Sequence, residues 1–187
     1  MAYSILFERN LGFMSVGEQS KIQNSVVSIA GVGGDGGLLA VQLARMGVGE
    51  IRLADPDPFE FENTNRQAIC RESTIGVNKA EAVASYIREI NPKICINVYN
   101  SGIEEENVTE FVKGSDLLID ETEFTEHALA VMLARESRKH NVPNLTAFNI
   151  GFGTVATTYH PRGKTLESRL GFGRIYRTRP MVTQIMY

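Results

Sequence analysis

A chain of 187 residues, 43% hydrophobic and 22% charged, is long enough for one domain with its own core and has the composition of an ordinary water-soluble protein. A net charge of −3 and a pI of about 5.7 offer no general attraction to nucleic acid or to an anionic membrane. No stretch approaches the ~20 apolar residues of a membrane span, and the opening MAYSILFERN lacks the basic region and apolar run of a signal peptide, so the expected compartment is the cytoplasm.

The first 21 residues read as an arm and a short helix, with Ser15 as N-cap and Glu18 three positions later. The apolar run at 25–30 reads as a strand. It stops at the glycine turn GVGGDG, and an alanine- and leucine-rich helix follows over 36–46. Gly47 and Gly49 end that helix, and a second strand covers 50–54. The segment PDPFEFENTNRQ is polar and turn-rich. A helix over 78–90 places Ala80, Val83, Ala84, Ile87 and Ile90 at helical spacing and stops at Asn91-Pro92. Residues 94–99 form a third strand, 105–112 a short helix, 117–119 a fourth strand and 126–140 a long helix. Strands at 144–149 and 153–159 come last. Alternation of this kind predicts an α/β, Rossmann-like fold, with a mostly parallel sheet and helices on both faces. From 160 to 180 the apolar runs fade and Arg162, Lys164, Arg169, Arg174, Arg177 and Arg179 accumulate, which reads as an exposed loop.

The glycine turn carries the first chemical signal. Gly31, Gly33, Gly34 and Gly36 lie between a strand and a helix, where the backbone turns tightly and a helix N-terminus offers N–H groups and partial positive charge to a phosphate. Asp55 ends the second strand 24 positions after Gly31, where a carboxylate accepts hydrogen bonds from ribose hydroxyls. This pattern alone suits either a dinucleotide or a nucleoside triphosphate. Cys70 and Cys95 form no CxxC pair, so no structural zinc is expected and both read as small, partly buried side chains.

Further candidates follow Asp55. Asn63, Asn65, Arg66 and Gln67 form a polar cluster in which Arg66 suits bidentate contact with phosphate oxygens. Lys79 falls in the first turn of a helix, a poor place for a cation unless an anion is near; its plainer reading is a solvated surface lysine. Asp120 and Glu123 close the fourth strand. Ligands of open α/β sheets collect at the carboxyl ends of strands, which points Asp55 and Asp120 at one crevice.

In order, GVGGDG, LADPD, NTNRQ, the IGVNKA of residues 75–80 and DLLIDETE resemble the motifs of the ThiF/MoeB/HesA family, relatives of the ubiquitin-activating enzymes. The likeness covers roughly residues 5–160 and includes Ile90-Asn91-Pro92 at the end of the helix. It implies ATP and Mg²⁺ as cofactors and adenylation of a C-terminal carboxylate, on a small ubiquitin-like or sulfur-carrier protein or a peptide, with release of pyrophosphate. It also implies roles. Gly34 approaches the phosphates and Asp55 holds the ribose. Asn63, Asn65 and Arg66 contact ATP, with Arg66 on the phosphates and Gln67 supporting the segment. Lys79 neutralises phosphate charge, and Asp120 with Glu123 holds the metal. Arg9 matches an arm arginine that family dimers place in the partner's site, so a homodimer is expected. A related activity in the family is dehydration of a carboxylate on a modified tRNA, against which the near-neutral pI argues.

The chain departs from the family pattern at Glu123, where the second aspartate of D-x-T-D stands, and at Phe124, where asparagine follows. It has no zinc-binding CxxC pairs, no cysteine after residue 150, and it ends at Tyr187, so a truncated or short variant is expected. The expected organisation is an arm over 1–24, an adenylation domain over 25–160 and a crossover or C-terminal segment over 161–187. Two other functions stay open at this point: a non-catalytic nucleotide-binding scaffold, and an NAD-dependent oxidoreductase.

Overall fold

Five short stretches pair as a parallel sheet. In the computed structural model, which describes residues 3–123 and 125–171, these are β1 (Val26–Ala30), β2 (Glu50–Ala54), β3 (Cys95–Tyr99), β4 (Leu117–Asp120) and β5 (Asn144–Ile150). A sixth strand, β6 (Gly153–Tyr159), pairs antiparallel to β5, and the sheet order is β3-β2-β1-β4-β5-β6. The order reverses at β1, whose neighbours β2 and β4 lie on opposite sides. A crevice opens above the carboxyl ends of strands at such a reversal.

Both sheet faces are covered, and β1 and β4 are buried along most of their length. One face packs on α3 (Asp35–Met46) and α4 (Lys79–Ile90) through Ala40, Val41, Ala44, Val83 and Ile87. The other packs on α5 (Val108–Val112) and α6 (His127–Lys139) through Val108, Phe111, Val112 and Leu133. Ser28 is fully buried in β1 and is satisfied by donating to the Phe111 carbonyl at 2.7 Å.

Before the sheet come α1 (Tyr3–Leu6) and α2 (Val16–Gln23). The Ser15–Glu18 capping box forms as expected. The arm docks at the C-terminal end of α3: Tyr3 donates to the Gly47 carbonyl, and Asn10 and Gln19 donate to that of Met46. Asn78, expected inside the next helix, is instead its N-cap and accepts the Glu81 N–H at 3.1 Å.

Two expectations are corrected. Cys70 is buried but Cys95 is exposed, because it opens the edge strand β3. The segment after Tyr159 is not wholly an exposed loop. It forms α7 (Leu166–Leu170), capped by Thr165, and Leu166 is only 2% exposed against Val131, Ala134 and Tyr159. A five-residue helix with one buried side chain leaves no periodicity to detect. Arg162, Lys164 and Arg169 remain exposed, and Arg174, Arg177 and Arg179 lie outside the described residues.

Candidate functional site

The four glycines of the turn divide by what surrounds them. Gly31 has φ +82°, and a Cβ there would run into the backbone carbonyl of Glu121. A Cβ on Gly36 would run into the Gly31 carbonyl. These two therefore let the turn close against β4 and let α3 start tight against β1. Gly33 and Gly34 face the crevice instead. The nearest neighbour of a Cβ on Gly33 would be Gln67 Nε2 at 3.3 Å, and on Gly34 only the Arg66 carbonyl at 4.0 Å. Gly34 is the N-cap of α3 and supplies no side-chain cap, which leaves the first-turn N–H groups to a ligand or to water.

Asp55, buried at the end of β2, braces this turn. Its Oδ2 accepts the Val32 N–H at 2.9 Å and its Oδ1 accepts the Asp57 N–H at 3.0 Å. Burial pushes its pKa above the usual carboxylate range, and those two hydrogen bonds and the Lys79 charge pull it back. About half of a carboxylate's lone-pair sites remain for a ligand. Lys79 is not a solvated lysine. It is buried at the first turn of α4, and its Nζ meets Asp57 Oδ2 at 3.0 Å.

The NTNRQ segment folds over the glycine turn. Asn63 is buried and shapes the loop: its Oδ1 accepts the Glu60 N–H at 3.0 Å. Asn65 and Arg66 are exposed, and Arg66 Nη1 donates to Asn65 Oδ1 and to the Glu62 carbonyl. Gln67 is buried on Gly33, and its Oε1 has no hydrogen-bond partner among the described residues. A buried unpaired amide oxygen beside an open glycine turn is the kind of group a ligand donor completes.

On the far side of β1, the register Ala30↔Asp120 brings Asp120 to the same crevice. Asp120 is 4% exposed, and its Oδ1 accepts from Thr122 N–H at 3.2 Å and Thr122 Oγ1 at 2.7 Å. Burial raises its pKa. Asp120 and Glu123 both line a cleft whose other walls include His127, Thr146 and Phe148, but the Glu123 side chain points to solvent. Among the described residues no three His, Cys, Asp or Glu side chains are arranged to enclose a metal ion. A magnesium ion, which keeps much of its water and takes one or two carboxylates, needs no such cage.

Sequence reasoning missed Glu121. This side chain is half-buried beside Asp35 and Asp120, and its Oε1 is buried without a partner among the described residues. Burial first, then Asp35 and Asp120, push its pKa up to about 7. Position 121 lies one residue past a strand end, and the close approach of the first turn of α3 to it in the fold brings Asp35 beside it. Arg9 is not at this crevice. It is exposed in the 3₁₀ turn Glu8–Gly12, on an arm anchored at the opposite end of the 12-residue α3, about 18 Å from the glycine turn along the helix axis.

A protein-family model described as the ThiF family matches residues 7–184. The SAMP-activating enzyme E1 of Haloferax volcanii is 30% identical over 145 residues, covering 78% of this chain and 53% of that protein. The crystal structure of E. coli tRNA N6-threonylcarbamoyladenosine dehydratase, TcdA, in complex with ATP superposes with a TM-score of 0.71 at 28% identity, covering 76% of this chain and 58% of that one. E. coli MccB with MccA-N7isoASN superposes with a TM-score of 0.69 at 28% identity, covering 77% of this chain and 42% of that one. This chain thus spans about half the length of these proteins.

Proposed function

The chain belongs to the ThiF family, and on that premise we propose that it is an ATP-dependent adenylyltransferase acting on the C-terminal carboxylate of a ubiquitin-like or sulfur-carrier protein, or of a peptide. The observation that carries the reading is the packing of the NTNRQ loop on the glycine turn, with Gln67 against Gly33 and the Arg66 backbone beside Gly34. A dinucleotide site has no use for that loop; a triphosphate site needs its cations. The likeness to an ATP complex and to an activating enzyme supports the same choice over an oxidoreductase.

ATP bound here supplies an electrophilic α-phosphorus, and attack by the substrate carboxylate forms the acyl adenylate as the bond to the leaving pyrophosphate breaks. The residues divide that work. Gly33, Gly34 and the first N–H groups of α3 cradle phosphate oxygens. Asp55 takes the ribose on its spare lone pairs. Arg66 leaves Asn65 to pair with phosphate, and Asn65 and Asn63 keep the loop in shape, with Gln67 on the turn. Lys79 offsets the charge that builds on pyrophosphate. Asp120 fits a Mg²⁺ site, since a cation relieves the burial of its carboxylate, and Glu123 reaches the same cleft from solvent. Arg9 can serve only a second copy's crevice, which is the reason to propose a homodimer.

The functional divisions are an arm over 1–24, the adenylation unit over 25–160 and a C-terminal segment over 161–187. We place the protein in the cytoplasm; among the described residues no helix is long and apolar enough to cross a membrane. Incubation with Mg-ATP, labelled pyrophosphate and carrier proteins ending in a free carboxylate tests the reading. Carrier-dependent exchange of label into ATP, lost in Arg66→Ala, supports it. ATP binding with no exchange for any carrier would favour a nucleotide-binding scaffold, to which the solvent-facing Glu123 lends weight.

A further inference from the structure

The ion pair of Lys79 with Asp57 is lopsided. The Lys79 side chain is 11% exposed and the Asp57 side chain 65% exposed, across a 3.0 Å contact. A buried ammonium needs a counter-charge, and among the described residues Asp57 is the carboxylate that pairs with it. The start of α4 makes the need greater, because the helix N-terminus itself disfavours a cation.

The backbone under this pair is locked. The Asp57 carbonyl accepts the Lys79 N–H at 2.8 Å, and the Asp57 N–H donates to Asp55 Oδ1 at 3.0 Å. Asn78 Nδ2 donates to the Asp55 carbonyl at 2.8 Å. Asp55 in turn holds the glycine turn through Val32, and it feels the Lys79 charge. The backbone that carries the amine is therefore fixed beside Asp55, and the more exposed partner of the pair is the aspartate. Its carboxylate already lies mostly in water, so leaving costs it little desolvation.

Resting on the nucleotide reading above, we propose that Asp57 is a positioning residue whose carboxylate stands in for phosphate, holding the buried Lys79 ammonium at the crevice and yielding it to the polyphosphate of an incoming nucleotide. A purely structural role for Asp57 makes the opposite prediction for affinity, because loss of a structural support weakens binding. Loss of a competing anion strengthens it.

Titration calorimetry on the full chain with Mg-ATP and with AMP separates the two. Asp57→Asn is expected to lower the Kd for Mg-ATP about three- to fivefold, to leave AMP unchanged and to lower the melting temperature of the unliganded protein. Asp57→Glu is expected to return the Mg-ATP affinity to that of the wild type. In a Lys79→Met background, Asp57→Asn is expected to change nothing. Asp57→Ser replaces the Asn variant if that protein fails to fold. Mg-ATP binding that is unchanged or weaker in Asp57→Asn, or in Asp57→Ser where that replaces it, or an equal shift for AMP, overturns the exchange while the nucleotide reading stands. A wild-type chain that takes up neither nucleotide overturns the nucleotide reading, and the exchange with it.

Discussion

The two sides of the crevice are built on different terms. On the β2 side every carboxylate has an answer: Asp55 has two backbone N–H donors, and Asp57 has Lys79. On the β4 side acids face acids. Asp120 accepts from Thr122, and Glu121, its pKa raised first by burial, sits near Asp35 and Asp120, both of which push it up further. The two carboxylates of the first side are partnered before any ligand arrives. The second side carries electrostatic strain that a proton or a cation would relieve.

Replacement of Gly31 breaks the seam between the two sides and has the largest expected effect. Gly31→Ala puts a Cβ into the Glu121 carbonyl at φ +82° and is expected to cost about 3 kcal/mol, read from the denaturant midpoint. Leu166→Ala follows at about 2–3 kcal/mol, because that side chain is buried under α6 and supports the β4-side cleft. Asp55→Ala should cost about 2 kcal/mol by leaving the Val32 and Asp57 N–H groups unpaired, and should abolish binding of Mg-ATP.

The opposite sign is expected across β1. The pKa of Glu121 in the fold is about 7 against an ordinary 4.5, so the folded state holds this proton more tightly than the unfolded chain. The stability tied to it is fully present below pH 4.5 and is lost as pH rises through about 7. Glu121→Gln should therefore raise the melting temperature at pH 8 and leave it unchanged at pH 4. A fall at pH 8 would mean that the carboxylate is paired and that the contrast between the two sides is false. The smallest effect, under about 0.5 kcal/mol, is expected for Cys95→Ser on the exposed edge strand.

Much of the fold was legible because its signals are local. β1, β2, β4 and β5 end where glycine or acid begins, Ser15 caps with Glu18, and Asn91-Pro92 stops α4. The motifs that point to a nucleotide are local too, each a few residues long. α7 escaped because one buried leucine makes no period.

Residue order alone determined the α/β alternation, the glycine turn after β1, the carboxylates at the ends of β2 and β4, and the likeness to the ThiF family. Tertiary structure decided what those residues touch. It divided the glycines, with Gly31 and Gly36 against backbone and Gly33 and Gly34 against open crevice. It buried Lys79 on Asp57, took Arg9 to the far end of α3, and set Glu121 beside Asp35 from another element. The reason is physical: hydrophobic period and turn propensity act within a few residues, whereas burial and charge act between segments that meet only once the sheet has closed.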